Sequence, residues 1–305
     1  MNKIAVLFFS FFTMLSTAQN APLLSNGLEL GRFEYSLLPS LGDTQLEKTA
    51  VSLGMGKKIN KSLLAVRLNY TKYDIYFKDA LFGNALNDFE NIHTIRLNLI
   101  YKRPLRNNWF LNALISPMLS STFEGDISAD DFFYNTFLST SKVWTKNDLK
   151  SNLTVGIGFG TLFGRPRLFP LVSYSRQVSL NTKYSIGLPV TGLFHNIDKK
   201  SAINFTLSPE GFFANNSASI LNAQGEEIAN SRMQFNGLKI ALGYQLKFEE
   251  NWITHFKLGY MPISNMEVID IEDDTLYDID TNETIFLNIA VSFNLNKKRN
   301  EKTKN

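Results

Sequence analysis

Along most of the chain apolar and polar residues alternate with a period of two. From Leu238 to Phe248 every even-numbered residue is apolar and every odd one is small or polar. A helix would scatter those apolar residues around its axis, whereas a strand gathers them on one face. The same alternation runs through Ile95, Leu97, Leu99 and Tyr101, through Leu153, Val155, Ile157 and Phe159, and from Ile285 to Leu295. These segments reach roughly ten residues or more, against about five or six for an ordinary strand and about 9–11 for a tilted strand crossing a bilayer. Length therefore favours a membrane barrel over a soluble sandwich.

The punctuation between segments is asymmetric. Short polar knots recur at Lys57–Lys61, Pro104–Asn108, Thr145–Ser151, Val178–Thr182, Ile197–Lys200 and Glu249–Asn251. Longer polar connections fall at Lys78–Asn91, Phe123–Asp131, Phe212–Arg232 and Glu267–Asn282. Short turns at one end and long loops at the other are the signature of an outer-membrane barrel. Two stretches, YKRPLRNNWFLNALISP from Tyr101 and YQLKFEENWITHFKLGYMP from Tyr244, draw the same figure: a polar knot, Asn-Trp, an alternating run, then Pro. Trp109, Trp144 and Trp252 are accordingly expected at the short-turn rim, where an indole suits the membrane interface. Pro117, Pro189, Pro209 and Pro262 are expected where ladder pairing ends.

Parity gives an all-β fold, an antiparallel transmembrane outer-membrane β-barrel. Its strands are expected at 27–38, 45–58, 61–77, 91–103, 108–122, 132–145, 150–163, 167–178, 182–188, 190–196, 201–211, 234–248, 252–266 and 283–295. That is 14 strands, with both chain ends on the short-turn side. The arms around Pro189 are short for a span, and without them the barrel has 12.

The first residues read as an export signal: Lys3 in a short positive start, an apolar run from Ile4 to Leu15, then Ser16-Thr17-Ala18 as a small-residue cleavage site. The expected organisation is a signal peptide over 1–18, a barrel domain over 19–295 and a basic disordered tail over 296–305. Beyond residue 18 no apolar run is long enough for a spanning helix. Aromatics are abundant, with 25 Phe and 11 Tyr, which suits a lipid-facing wall with aromatic girdles. Net charge is only +3, so the charge balance makes no case for nucleic acid. With no cysteine there is no disulfide framework, thiolate metal site or cysteine nucleophile.

At Gly187-Leu188-Pro189, at Leu207-Ser208-Pro209 and in the final alternating strand, the chain resembles domain-of-unknown-function family 6268, exported outer-membrane barrels found mostly in Bacteroidetes. The resemblance implies the outer membrane of a Gram-negative bacterium, reached through the periplasm, and no established activity. No functional residue carries over. A barrel of this kind is expected to contact outer-membrane lipids and lipopolysaccharide and to depend on the barrel assembly machinery. One departure is the chain's end, where Phe293 is followed by Asn294-Leu295 and a basic tail instead of closing on an aromatic.

If the apolar phase faces lipid, the other phase lines the lumen. It carries Arg32, Glu34, Arg67, Arg96, Lys239, His255 and Lys257, a basic lean. Such a lining either makes an anion-preferring path or pairs up to plug a closed barrel. The expected function is a passive pore or small-solute transporter, with a closed structural or partner-binding barrel as the alternative and a lipid hydrolase behind both. No enzyme activity and no cofactor are expected. The stretch Glu267–Asp280 holds seven carboxylates, but lacks the loop glycine and terminal glutamate of a calcium hand. It is expected to be a solvated external loop, with no metal. A hydrolase needs a serine and histidine on neighbouring strands with an orienting third group; no Gly-x-Ser-x-Gly elbow is present. Gly156-Ile157-Gly158-Phe159-Gly160 lies inside a strand pattern and is no dinucleotide loop.

Overall fold

The computed structural model describes residues 28–78, 86–221, 225 and 227–295. The expected signal peptide and basic tail lie outside these residues. The strands are β1 (Leu28–Leu41), β2 (Thr44–Ile59), β3 (Ser62–Phe77), β4 (Asn91–Pro104), β5 (Trp109–Ser121), β6 (Phe132–Lys146), β7 (Leu149–Gly160), β8 (Arg167–Gln177), β9 (Thr182–Gly187) and β10 (Thr191–Asn196). They continue as β11 (Ser201–Asn215), β12 (Ile220–Leu221), β13 (Glu227–Ile228), β14 (Arg232–Lys247), β15 (Trp252–Ile269), β16 (Thr275–Ile279) and β17 (Thr284–Leu295).

Among the described residues β12 and β13 pair only with each other, and β16 flanks the outer end of β15. The other fourteen strands form a closed antiparallel barrel: β1 pairs with β17, β17 with β15, β15 with β14, and β14 with β11. The fourteen-strand count holds because β9 and β10, six residues each, are part of the wall. Gly187 ends β9 at φ 120°, and a Cβ there would lie 2.0 Å from Val172 O, so only glycine fits. Turns at the other end exploit Asn and Asp, which tolerate left-handed backbone. Asn147 and Asp148 join β6 to β7 with φ of 51° and 61°, the pattern of a two-residue hairpin turn.

Lipid-phase side chains such as Leu53, Leu168, Leu242 and Phe256 are exposed, while their neighbours Ser52, Phe169, Ala241 and His255 are buried. The interior of the long-loop half is an apolar core. Leu38, Leu46, Ile75, Phe212, Met233, Phe235, Met261 and Phe286 from the wall meet Leu86, Phe89, Ile220 and Ile279 from the loops. This core forms where β9 and β10 stop short. β11 runs on past them, leans inward and meets β5 in parallel at Asn215–Ser121, with Thr122 N donating to Asn215 O at 3.1 Å. Nine strands, from β11 through β14, β15, β17 and β1 to β5, thus make a narrower ring inside the wall's outer half.

Two expectations need correction. Glu267–Asp280 is not simply a solvated loop: Glu267–Ile269 extends β15 and Thr275–Ile279 pairs with it as β16, because Val268, Ile269 and Ile279 are buried and carry the hairpin into the core. The prolines do not all mark strand ends. Pro117 and Pro209 pair within ladders, and Pro262 sits at the β14–β15 bulge.

Candidate functional site

The inner face of the wall carries a continuous charge network directly beneath the apolar core. β1 contributes Glu29, Arg32 and Glu34. A bulge between Glu29 and Gly31 changes the parity, and so brings Glu29 to the buried side with Arg32. Arg67 Nη1 of β3 lies 3.0 Å from Glu29 Oε1, and Arg32 Nη2 donates to Glu34 Oε2 at 2.9 Å. Lys48 of β2 spans the interior, 3.8 Å from Glu34 and 3.1 Å from Glu210 on β11. Lys239 Nζ of β14 meets the other Glu210 oxygen at 3.1 Å and stands 4.8 Å over the Phe286 ring. The carboxylates are interleaved between the cations, which is what buried charges require.

Arg96 donates to Met118 Sδ at 3.4 Å, and its Nε has no partner among the described residues. Lys257 pairs in the ladder with Gly243 and Asn288. His255 is 1% exposed; its Nε2 lies 3.0 Å from Ser292 Oγ, which also accepts from Asn294 Nδ2 at 3.0 Å. This arrangement lacks the order of a catalytic triad, because His255 Nδ1 has no partner among the described residues and the amide touches the serine instead of orienting the imidazole. His195 lies on the other phase and bonds Thr182 Oγ1 at 2.9 Å.

Glu29, Lys48 and Glu210 are network members that sequence reasoning missed. Lys48 and Glu210 share the inward phase of their strands, a signal that was available. Glu29 is concealed by the bulge. Toward the short turns the inner face adds Lys102 over Phe110 at 5.0 Å and Lys183 over Phe194 at 5.1 Å. On the outer face at this end, Trp109 stands under Lys142 Nζ at 5.5 Å. Trp144 stacks on Tyr174 at 6.1 Å, and Trp252 packs on Phe293 at 5.0 Å.

The long-loop end is tied by Asp131, which is fully buried. Burial alone would raise its carboxyl pKa. Hydrogen bonds from Ser121, the Ser128 N–H, Asn215 and Ser217 outweigh that and hold it below the usual carboxylate range. Beside it opens a cleft of ≈ 290 Å³ whose lining includes Asp130, Phe133, Arg165, Phe213, Arg232 and Asp273. The carboxylates of Asp270, Glu272 and Asp274 lie within 4.8 Å of one another. Asp270 Oδ1 accepts the backbone N–H groups of Glu272 and Asp274, which accounts for the cluster as a turn.

The family model described as "Domain of unknown function (DUF6268)" matches residues 56–298. No curated protein matches the chain. Among solved structures, it is similar to the NanC porin at 9% identity and TM-score 0.39, covering 87% of this chain and 98% of that one. An outer membrane channel from Pseudomonas putida F1 matches at 10% identity and TM-score 0.44, covering 88% and 96%. LpxR from Salmonella typhimurium matches at 6% identity and TM-score 0.40, covering 87% and 100%.

Proposed function

The chain belongs to the DUF6268 family, and we propose that it is an integral, non-enzymatic barrel of a Gram-negative outer membrane, closed in the state described. A belt of exposed apolar side chains, with Trp109, Trp144 and Trp252 at its short-turn rim, supports the membrane placement. The long loops then face outward and the short turns face the periplasm. The observation that carries closure is the apolar core filling the outer half of the interior, with Phe212, Phe235, Met261 and Phe286 all at most 3% exposed. An ion crossing such a core would be stripped of water with nothing to replace its shell. The paired charges below act as the core's polar floor. Swelling of proteoliposomes in small sugars and salts tests this reading. The parent protein should add no permeability over empty vesicles. The double variant Phe212→Ala/Phe235→Ala should add some, and a freely permeable parent overturns the reading.

One observation favours a second reading, regulated transport of small anions. On the described inner face, Arg32, Lys48, Arg67, Arg96, Lys239 and Lys257 outnumber Glu29, Glu34 and Glu210. Such an excess concentrates anions once the path opens. Any conductance obtained by disrupting the core should therefore prefer anions, and Arg96→Gln/Lys239→Gln should weaken the preference. A cation-preferring path removes these residues from the mechanism.

A further inference from the structure

Above the β9–β10 hairpin the wall does not close edge to edge. β8 pairs with β9 only over Ser173–Gln177, and β10 with β11 only over Ala202–Leu207. Arg167–Val172 and Ser208–Asn215 are thus separated by a gap that no strand among the described residues bridges. The sheets overlap there instead. Phe133, on the inner side of β6, stands edge-on against Phe213, on the outer side of β11, with ring centroids 5.1 Å apart. The β7–β8 connection lies so close on β11 that a Cβ on Gly211 would come within 2.8 Å of Gly164 N. Behind the gap, ring packing and loop contact stand in place of a hydrogen-bonded ladder.

Two prolines thin the backbone donors along the seam. In an antiparallel strand both backbone groups of a residue point to one edge, and successive residues alternate. Leu188 N donates to Val172 O at 2.9 Å, so the even residues of β8 address the gap. Thr122 N donates to Asn215 O at 3.1 Å, so the odd residues of β11 point away from β14. Pro170 and Pro209 occupy those two phases, and each removes an N–H that would otherwise face the gap. An edge open to hydrocarbon tolerates few unpaired donors, and this one borders the apolar belt: Leu168 and Val172 beside it are 68% and 50% exposed.

The outer end of the seam is the cleft beside Asp131, shared by Phe133 and Phe213. Two guanidinium groups line it. Arg165 makes only a loose 3.7 Å pair with Asp273. Arg232 binds Asp130 at 3.1 Å, and its Nε has no partner among the described residues.

We propose that this seam is a binding site for the acyl chain of an anionic amphiphile, admitted sideways from the outer leaflet, with its headgroup at Arg165 and Arg232. The site goes beyond the closed-barrel reading and rests on its membrane placement alone. The two prolines lower the number of amides that an apolar occupant faces, and the aromatic rings provide faces for methylene groups. An anionic headgroup gains charge-assisted hydrogen bonds from guanidinium donors.

The test uses the full chain in phospholipid vesicles with a long-chain carboxylate bearing a diazirine. Irradiation is followed by mapping of adducts by mass spectrometry. Adducts are expected on Phe133, Phe169 or Phe213 as well as on belt residues such as Leu242. Excess unlabelled carboxylate should suppress the seam adducts several-fold and spare those on the belt. Arg165→Gln/Arg232→Gln should reduce seam labelling by the carboxylate and leave belt labelling unchanged. Adducts confined to the belt overturn the proposal. Seam labelling indifferent to the double variant overturns the headgroup assignment. Absence of belt adducts overturns the membrane placement itself, a failure distinguishable from that of the seam.

Discussion

Glu210 holds two cations at once, and its removal is the sharpest perturbation available. Its two oxygens lie 3.1 Å from Lys48 and 3.1 Å from Lys239, with all three side chains at most 14% exposed. Glu210→Gln keeps the shape and deletes the charge. Lys48 still has Glu34 at 3.8 Å and Lys239 still has the Phe286 ring at 4.8 Å, so neither is stranded completely. Breaking a buried pair by removing one partner costs about 3–5 kcal/mol, and the retained contacts place the expected loss near the lower end. Lys239 should carry most of it, because a ring face replaces a carboxylate poorly. Glu210→Gln/Lys239→Gln should therefore recover a large part of the loss, with a coupling of about 1–3 kcal/mol in the double-mutant cycle. Guanidinium unfolding in lipid vesicles, followed by the fluorescence of the three rim tryptophans, measures it. A single-variant loss below about 1 kcal/mol, the range of exposed pairs, or strict additivity, would refute the reasoning.

Leu242 is 59% exposed on the lipid phase, so Leu242→Arg should cost about 2–4 kcal/mol, while Leu295→Arg at the rim should cost about 0–1; equal costs in an unfolding titration would contradict the depth assignment. In this cysteine-free chain, Asp273→Cys should react with an impermeant maleimide on intact cells and Glu250→Cys should not; equal labelling reverses or abolishes the orientation. The Asp131 carboxyl is held low in the folded protein, so its contribution is present above its unfolded pKa of about 3.9 and fades as pH falls through the lower folded value. Protease resistance of the Phe123–Asp131 connection should drop in that acid window and Asp131→Asn should lack the drop; identical acid profiles would show that Asp131 is not the tie.

The wall was legible because lipid on one side and a crowded interior on the other impose strict parity, as at Leu238–Phe248. Every expected strand lies within four residues of an observed one at each end. The interior was less legible, for reasons of distance and of local irregularity. Lys48 and Glu210 are 162 positions apart, so no local pattern marks their contact. Glu29 changes sides at a bulge. Phe212 reads as the start of a long polar connection, yet it is 3% exposed because β11 outruns its short neighbours and turns into the barrel. Alternation records which residues avoid lipid; it does not record whether they meet water or one another. The proposed closure of the lumen rests on that second choice, made by Phe212, Met233, Phe235, Met261 and Phe286 together.

Single-channel recording of the refolded full chain in planar bilayers tests closure most directly. The apolar core predicts a silent parent in symmetric potassium chloride, and conductance steps in Phe212→Ala/Phe235→Ala under the same conditions. A steady, ohmic conductance from the parent would contradict the account.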